Sequence, residues 1–472
     1  MTQFTLDTGI IHFIGIGGIG MSGIAEVLFD LGYQVRGSDI QENSNIDRLR
    51  TKGITIYIGQ NEKNMNNASV AVVSSAIKSD NKELLTAKDL RIPILKRADM
   101  LAELMRFKKS IAVGGSHGKT TTTSMISSIL VTSKSDPTII NGGIIESYQS
   151  NARLGKGAWM VVEADESDGT FTRLPATIAV LTNIDEEHLD FYKNYKNLKK
   201  SFRSFIENLP FYGFASICID NPEALELKEN IKDRKIVSYG LNSSANFTAD
   251  SLVFKKGKSF FNIKIKKSTN SKDIIYKDFC ISLPGKYNIT NALGAISVCY
   301  ELGISIVNIR KGLKNFKGVK RRFSLIDKIN GISFIDDYAH HPTEIKCILE
   351  AACSVCEGKI VVVFEPHRYS RVFSLYKKFV NSFDNADIVF ITDIYSAGED
   401  KIKGISKEKL ASSISLNGVK DVRLLKNYET LHSNLIEICN RGDFIIFLGA
   451  GNISKVAKKI TEQFRAELTK SI

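Results

Sequence analysis

A chain of 472 residues is too long for one ordinary hydrophobic core and calls for two to four domains. Its hydrophobic share of 43% and charged share of 24% are those of a soluble globular protein, and no stretch approaches the ~20 apolar residues of a membrane span. The net charge of +13 invites a nucleic-acid partner, but neither basic run, 255–272 or 309–322, matches a nucleic-acid-binding module. In the first run the lysines alternate with apolar residues at period two, as on the wet face of a strand. No nucleic-acid partner and no stable membrane insertion are therefore expected. The opening "MTQFTLDTGI" has neither a basic nor an apolar leader region, so no secretory signal is expected and the cytoplasm is the expected compartment.

Residues 1–107 alternate short apolar runs ("IIHFIGIG", "YQVRGSD", "ITIYIG", "SVAVVSSA") with helical patterns, the signature of a parallel sheet with covering helices. A new strand-loop-helix starts at "SIAVGG", and a second α/β domain is expected over 108–321, with strands in "WMVVEADES", "TIAVLTNI", "ASICID" and "KIVSYG" and a β-rich patch at 246–283. A third α/β domain is expected over 322–472, through "GISFIDDYAHHP", "KIVVVFEPHRYS", "ADIVFITDIY" and "DFIIFLGAG". The fold class is thus α/β in three domains: an N-terminal Rossmann-like parallel sheet, a central phosphate-loop ATPase-type domain and a C-terminal Rossmann-like domain. Cys353 and Cys356 form a single C-x-x-C within a helical pattern; no second pair completes a zinc site, so buried thiols are expected.

Two glycine loops carry chemistry. The stretch "HFIGIGGIGMSG" reads Gly15-x-Gly17-x-x-Gly20 between a strand and a helix, the pattern that seats a diphosphate on a helix N-terminus. In "VGGSHGKTTTTSM", Gly115, Ser116, His117, Gly118, Lys119, Thr120 and Thr121 lie between a strand and a helix. Glycine backbone there turns its N–H groups toward phosphate oxygens, Lys119 can reach the β- and γ-phosphates, and a Thr120 or Thr121 hydroxyl can ligate Mg²⁺. The spacing from Gly115 is two residues shorter than the full phosphate-loop pattern. Two acidic loops follow the next strands: "EADESDGTF", with Glu163, Asp165, Glu166 and Asp168, and "TNIDEEHLDFY", with Asp185, His188 and Asp190. Oxygen ligands at the carboxyl ends of parallel strands beside a phosphate loop point to a divalent cation. The last domain gathers Asp336, Asp337, His340 and His341 in "DDYAHHPTE" and His367, Arg368 and Arg371 in "FEPHRYSR", where the arginine fork suits a carboxylate or a phosphate.

Taken together and in this order, these segments, with "GKYNITNALGA", "GVKRRF" and "DIYSAGE", resemble the Mur ligases, the ATP-dependent amide-forming enzymes of peptidoglycan precursor synthesis. The resemblance runs over essentially the whole chain and is strongest to the branch that adds L-alanine to UDP-N-acetylmuramate. It implies that ATP phosphorylates the lactyl carboxylate of that nucleotide sugar and that the amine of L-alanine displaces phosphate from the acyl phosphate. It implies that the first glycine loop holds UDP rather than NAD, through Gly15, Gly17, Gly18, Gly20, Met21 and Ser22, with Asp39 at the ribose and Ser74 close by. Catalytic roles fall to Lys119, Glu163 and His188, and Mg²⁺ to Thr120, Glu163 and His188. Asn291 matches an adenine-contacting position, Arg322 one near the triphosphate, and Asp337 one beside the ATP ribose; His340, His367, Arg368 and Arg371 match the group that cradles substrate carboxylates. Several sister ligases carry a carbamylated lysine at a position that falls near Phe202 here, just after Lys199 and Lys200. The alternative within the family is the recycling branch that adds a whole tripeptide to the same sugar, from which the loop "FEPHRYSR" differs.

Overall fold

A computed structural model describes residues 8–266 and 272–470 of the chain. The first sheet consists of β1 (Ile10–Ile14), β2 (Gln34–Asp39), β3 (Thr55–Ile58), β4 (Ala68–Val73) and β5 (Ile94–Lys96) in the order β3-β2-β1-β4-β5. All four pairings are parallel. The helices α1 (Ile19–Asp30), α2 (Ser44–Thr51), α3 (Lys82–Asp89) and α4 (Arg97–Met105) connect them. The chain leaves β1 for β2 on one side and later returns to β4 on the other, so the crevice at the carboxyl end of β1 is the switch point where such sheets take ligands. The first glycine loop lies there. Local chemistry explains the helix starts: the Asn43 side chain accepts the Asn45 and Ile46 amides at 3.0 and 3.2 Å, opening α2 with an Asx cap.

The second sheet has ten strands: β6 (Lys109–Gly114), β7 (Thr138–Ile145), β8 (Ser150–Arg153), β9 (Trp159–Glu163), β10 (Ile178–Leu181), β11 (Phe214–Cys218), β12 (Lys235–Tyr239), β13 (Phe247–Lys255), β14 (Lys258–Ile265) and β15 (Ile274–Ile281). Their order is β15-β14-β13-β12-β11-β10-β6-β9-β7-β8. β6 lies between β9 and β10, parallel to both, so the loops after all three emerge side by side. The helix α5 (Lys119–Thr132) starts directly behind the loop that follows β6. In β14 the expected alternation holds: Phe261, Ile263 and Ile265 are buried while Lys258 and Phe260 are exposed. The remainder of that basic run, 267–271, lies outside the described residues.

The third sheet is β16 (Ser324–Ile329), β17 (Ile332–Asp337), β18 (Ile360–Phe364), β19 (Ile388–Ile391), β20 (Asp421–Leu424) and β21 (Phe444–Leu448), ordered β16-β17-β21-β18-β19-β20. Only the edge strand β16 is antiparallel. Period two is visible in its packing. Val362, Phe364, Ile446 and Leu448 join one hydrophobic cluster, and Val361, Val363, Ile445 and Phe447 join the other. Both faces are covered, so "IVVVF" and "FIIFL" read as unbroken apolar runs rather than alternating ones.

The chain divides into two compact units: Met1–Ser251 with Phe261–Cys280 and Thr290–Lys317, and Leu252–Phe260 with Ile281–Ile289 and Gly318–Ile472. The first unit therefore holds both the N-terminal sheet and most of the central one. One reason is a shared core. Phe13, Ile24 and Leu28 belong to the same cluster as Ala152, Val162 and Leu181. A second reason is polar: the nearly buried Glu26 of α1 is held by Arg48 at 3.2 Å, Lys52 at 3.0 Å and the Ser150 hydroxyl of β8 at 2.9 Å.

The cysteine expectation needs correction. The helix Pro342–Cys353 ends at Cys353, which is exposed, and Cys356 lies beyond it, half-buried. The apolar stripe of that helix is carried by Ile345, Ile348, Leu349 and Ala352, which leaves Cys353 on the wet side.

Candidate active site

The loop after β1 turns sharply at Gly15, whose φ of +84° is open to glycine. Its amide and that of Ile16 donate to the Ser38 carbonyl at 2.8 and 3.0 Å, tying the loop to the end of β2. Asp39 accepts the Gly17 amide at 2.9 Å and the Ile40 amide at 2.8 Å, so this carboxylate shapes the loop from within. Ser74, at the end of β4, lies against Gly15. Met21 and Ser22 turn their side chains inward. Met21 is 1% exposed in the hydrophobic core, and Ser22 is wholly buried with its hydroxyl donating to the Ile19 carbonyl at 3.1 Å. What Gly20 and Met21 offer a diphosphate is the backbone N–H of the first turn of α1.

The second loop is built around close approach. Gly115 has φ +131°, and a Cβ there would run into Thr182 Oγ1; Gly118 has φ +83°, and a Cβ would run into Asn291 Oδ1. Asn291, on the helix Lys286–Glu301, thus sits directly beside the phosphate loop. Lys119 Nζ donates to the Gly115 and Ser116 carbonyls at 2.6 and 2.9 Å and to Glu166 at 2.9 Å. Burial opposes the Lys119 charge, but Glu166, Glu163 and Glu187 overcome it and hold the ammonium above its ordinary value. His117 Nε2 lies 3.1 Å from Asp185, and its amide donates to Asn183 at 2.9 Å. Thr120 and Thr121, each about 5% exposed, open the first turn of α5.

Around this lysine the structure draws Glu166, Glu187 and His188 together, with one ligand atom from each within 4.8 Å of the others. Burial pushes the Glu166 carboxyl up to about 8, against the pull of Lys119 and with a push from Asp165 and Glu187. His188 has φ +54°, a left-handed conformation rare for histidine, and caps the short helix Leu189–Tyr192. Two carboxylates and an imidazole beside a phosphate loop fit a divalent cation with oxygen-rich ligation. Glu163 stands outside this trio. Its carboxylate accepts the Gly142 amide at 2.8 Å, although its field still reaches Lys119. The motif "EADES" was legible in the sequence, but not that its fourth residue, Glu166, three beyond the strand end, would meet the lysine; Glu187 went unassigned in "IDEEH". Asp165 pairs with Arg97 of α4 at 2.9 Å, and that arginine lies against Gly20, linking the acidic loop to the first glycine loop. Phe202 is fully buried with its ring 5.1 Å from Phe171, while Lys199 pairs with Glu223 and Glu226.

In the second unit, the loops after β17, β18, β19 and β21 converge at one edge of the sheet. Asp337 is 1% exposed and accepts the Phe323 and Ala339 amides at 2.6 and 2.7 Å. Burial raises its carboxyl to about 7, against Arg322 and those two amides. Both carboxylate oxygens of Asp337 thus accept from the chain's own backbone. Arg322 is 3.5 Å from Glu344 and, with Arg321, covers the ring of Tyr338. His340 Nδ1 lies 2.9 Å from the Tyr338 carbonyl, and its ring meets His367 edge-on at 5.7 Å. Arg371 donates to His367 Nδ1 at 3.2 Å. Burial, then His340, Arg371 and Arg368, push the His367 imidazole down to about 3, so it is neutral with its proton on Nε2. The third glycine loop, Gly449 to Gly451, offers no anion seat: Glu365 approaches Gly451 and accepts the Ile453 amide at 3.4 Å, capping the last helix itself. The four expected residues His340, His367, Arg368 and Arg371 are brought together, and Tyr338, Tyr395 and Glu399, which sequence had not singled out, surround them.

Three family models match the chain: "Mur ligase family, catalytic domain" over 10–109, "Mur ligase middle domain" over 113–299 and "Mur ligase, glutamate ligase domain" over 321–451. The UDP-N-acetylmuramate–L-alanine ligase of Agrobacterium fabrum is 50% identical over 463 residues, covering 98% of both chains. The solved UDP-N-acetylmuramate-alanine ligase of Thermotoga maritima superposes with a TM-score of 0.82 at 28% identity, covering 97% of this chain and 100% of that one. A murein peptide ligase of Psychrobacter arcticus shares the fold at a TM-score of 0.69 and 22% identity, over 97% of this chain and 98% of that one. With models matching most of its length in order, and half its residues shared with a ligase of equal extent, the chain belongs to the Mur ligase family.

Proposed function

We infer that the chain is the ATP-dependent ligase that joins L-alanine to the lactyl carboxylate of UDP-N-acetylmuramate in peptidoglycan precursor synthesis, releasing ADP and phosphate. The observation that carries this is 50% identity over 98% of both chains with a ligase of that name. The murein peptide ligase, the nearest rival, shares 22% identity, a likeness of fold.

The chemistry follows from the residues. A carboxylate oxygen of the sugar attacks the γ-phosphorus of ATP and ADP leaves. The amine of L-alanine then adds to the acyl carbon, and the tetrahedral species expels phosphate while the amine loses a proton. Phosphoryl transfer between anions depends on positioning and on neutralising charge. Lys119 supplies a fixed positive charge at the γ-phosphate, and the loop amides from Gly115 to Thr120 cradle the triphosphate. Glu166, Glu187 and His188, with Glu163 and Thr120 close by in the fold, would hold Mg²⁺, which screens phosphate charge when bound. The loop at Gly15 to Gly20 and the first turn of α1 take the diphosphate of the sugar nucleotide, with Ser74 alongside. Asn291 faces the ATP side of the phosphate loop. His340, His367, Arg368 and Arg371 receive carboxylate charge, the two arginines as bidentate forks. The cytoplasm, where ATP is held, is the compartment this reaction requires; among the described residues no helix is long and apolar enough to cross a membrane.

Phosphate release by the purified protein tests the assignment, with Mg²⁺-ATP, UDP-N-acetylmuramate and either L-alanine, the tripeptide or no amine. Release that needs L-alanine is expected. Release only with the tripeptide assigns the chain to the recycling branch instead.

A further inference from the structure

We propose that Glu399 and Tyr395, from the loop after β19, are positioning residues that set the affinity for L-alanine by holding the His367–Arg371 loop in its binding shape. The proposal rests on the assignment of His367, Arg368 and Arg371 to carboxylate capture.

That loop does not hold its shape unaided. Arg368 has φ +68° and ψ 130°, a conformation that non-glycine residues avoid. The loop after β19 secures it on both sides. Arg368 donates its amide to the Tyr395 carbonyl at 2.8 Å, and Tyr395 returns its own amide to the Pro366 carbonyl at 2.8 Å. The Tyr395 ring stacks on His367 at 5.3 Å with an angle of 12°. Glu399 then fixes the next turn: its carboxylate accepts the Ser370 hydroxyl at 2.7 Å and the Ser370 amide at 3.0 Å. That amide belongs to the first turn of the helix Tyr369–Ser374 and has no partner inside it, so the carboxylate makes a charge-assisted bond there. Glu399 also lies 3.9 Å from Arg368 Nε. With Ser370 pinned, Arg371 is fixed one residue on, where it donates to His367.

A ligand as small as alanine makes few contacts, so its affinity depends on whether the receiving forks are already in place. Supporting groups of this kind carry roughly ten- to a hundredfold in ligand affinity. Glu399→Ala is expected to raise KM for L-alanine about tenfold, with kcat and the KM values for ATP and the sugar nucleotide within about twofold of wild type. Glu399→Gln, which keeps one acceptor oxygen for Ser370, recovers part of that loss. Tyr395→Leu raises the same KM and Tyr395→Phe restores it. Should Glu399→Ala fail to fold, Ser370→Ala removes a single hydroxyl and carries the test, with an expected rise of about threefold.

Arg371→Ala is measured in parallel. If Arg371→Ala raises KM for L-alanine and neither Glu399→Ala nor Ser370→Ala does, the positioning role is overturned while the capture assignment stands. If Arg371→Ala leaves that KM unchanged, the capture assignment fails and this inference with it. A rise spread equally over all three KM values also overturns it, since that is the mark of general destabilisation.

Discussion

Lys119 is the residue on which most of the chemistry converges. It reaches two loop carbonyls and Glu166 at once, so its charge is fixed in position before any phosphate arrives. Lys119→Ala should lower kcat for alanine-dependent phosphate release at least about a hundredfold and, by leaving the buried Glu166 without its cation, lower the melting temperature as well. Steady-state kinetics and a thermal melt check the two halves of that expectation. Gly115→Ala should fail differently, because a side chain at φ +131° is strained and Thr182 leaves it no room. A stability loss of about 1–3 kcal/mol with loss of ATP binding is expected, read by urea unfolding and nucleotide titration. His367 gives a pH signature. Its folded value of about 3 lies below the ordinary 6.5, so the unfolded chain takes up a proton first. The stability it contributes is complete above about pH 6.5 and is lost as pH falls toward 3, at up to about 1.4 kcal/mol per pH unit. In the protein, the His367 ring-proton NMR shift should stay flat from pH 8 to 5, where a free histidine titrates.

At the scale of elements, strand ends and loop glycines were readable because they follow from short-range rules. A parallel strand reads as an apolar run, and a glycine loop before a helix reads as a phosphate seat. Thus β1 with α1 and β6 with α5 stood in the sequence as strand-loop-helix. Long-range partners were not readable. Nothing in "EVLFDLG" says that Glu26 will meet Ser150, far along the chain, and nothing in "DDYAHHP" says that Asp337 will accept the Phe323 and Ala339 amides. At Met21 the glycine pattern marks the helix start, and helical geometry sends that side chain to the core. The Glu26 cluster has its own test. Glu26→Ala takes the shared carboxylate from Arg48, Lys52 and the Ser150 hydroxyl, while Asn151 still accepts from Arg48 and Asp30 from Lys52, and should cost about 1–3 kcal/mol in urea unfolding. Asp30→Ala, which removes only the outer partner of Lys52 at 2.7 Å, should cost less than about 1 kcal/mol.

Among the described residues, three glycine loops lie between a strand end and a helix: Gly15 to Gly20 after β1, Gly115 to Gly118 after β6 and Gly449 to Gly451 after β21. In the third, Glu365 accepts the Ile453 amide at the start of the last helix. The histidines and arginines proposed for amino-acid capture had a plain sequence signature, and their supports, Tyr395 and Glu399, did not. The order of segments along the chain was legible in full, since "GSHGKT", "EADES", "DDYAHHP" and "FEPHRYSR" each sit where a parallel strand ends.

The central claim is that phosphate leaves from an acyl phosphate of the sugar's carboxylate when L-alanine attacks. The most direct measurement uses UDP-N-acetylmuramate with both lactyl carboxylate oxygens labelled with oxygen-18, turned over with Mg²⁺-ATP and L-alanine. Mass spectrometry of the inorganic phosphate should find one labelled oxygen per molecule, with the other retained in the new amide. Unlabelled phosphate, or label appearing in AMP, would contradict the account.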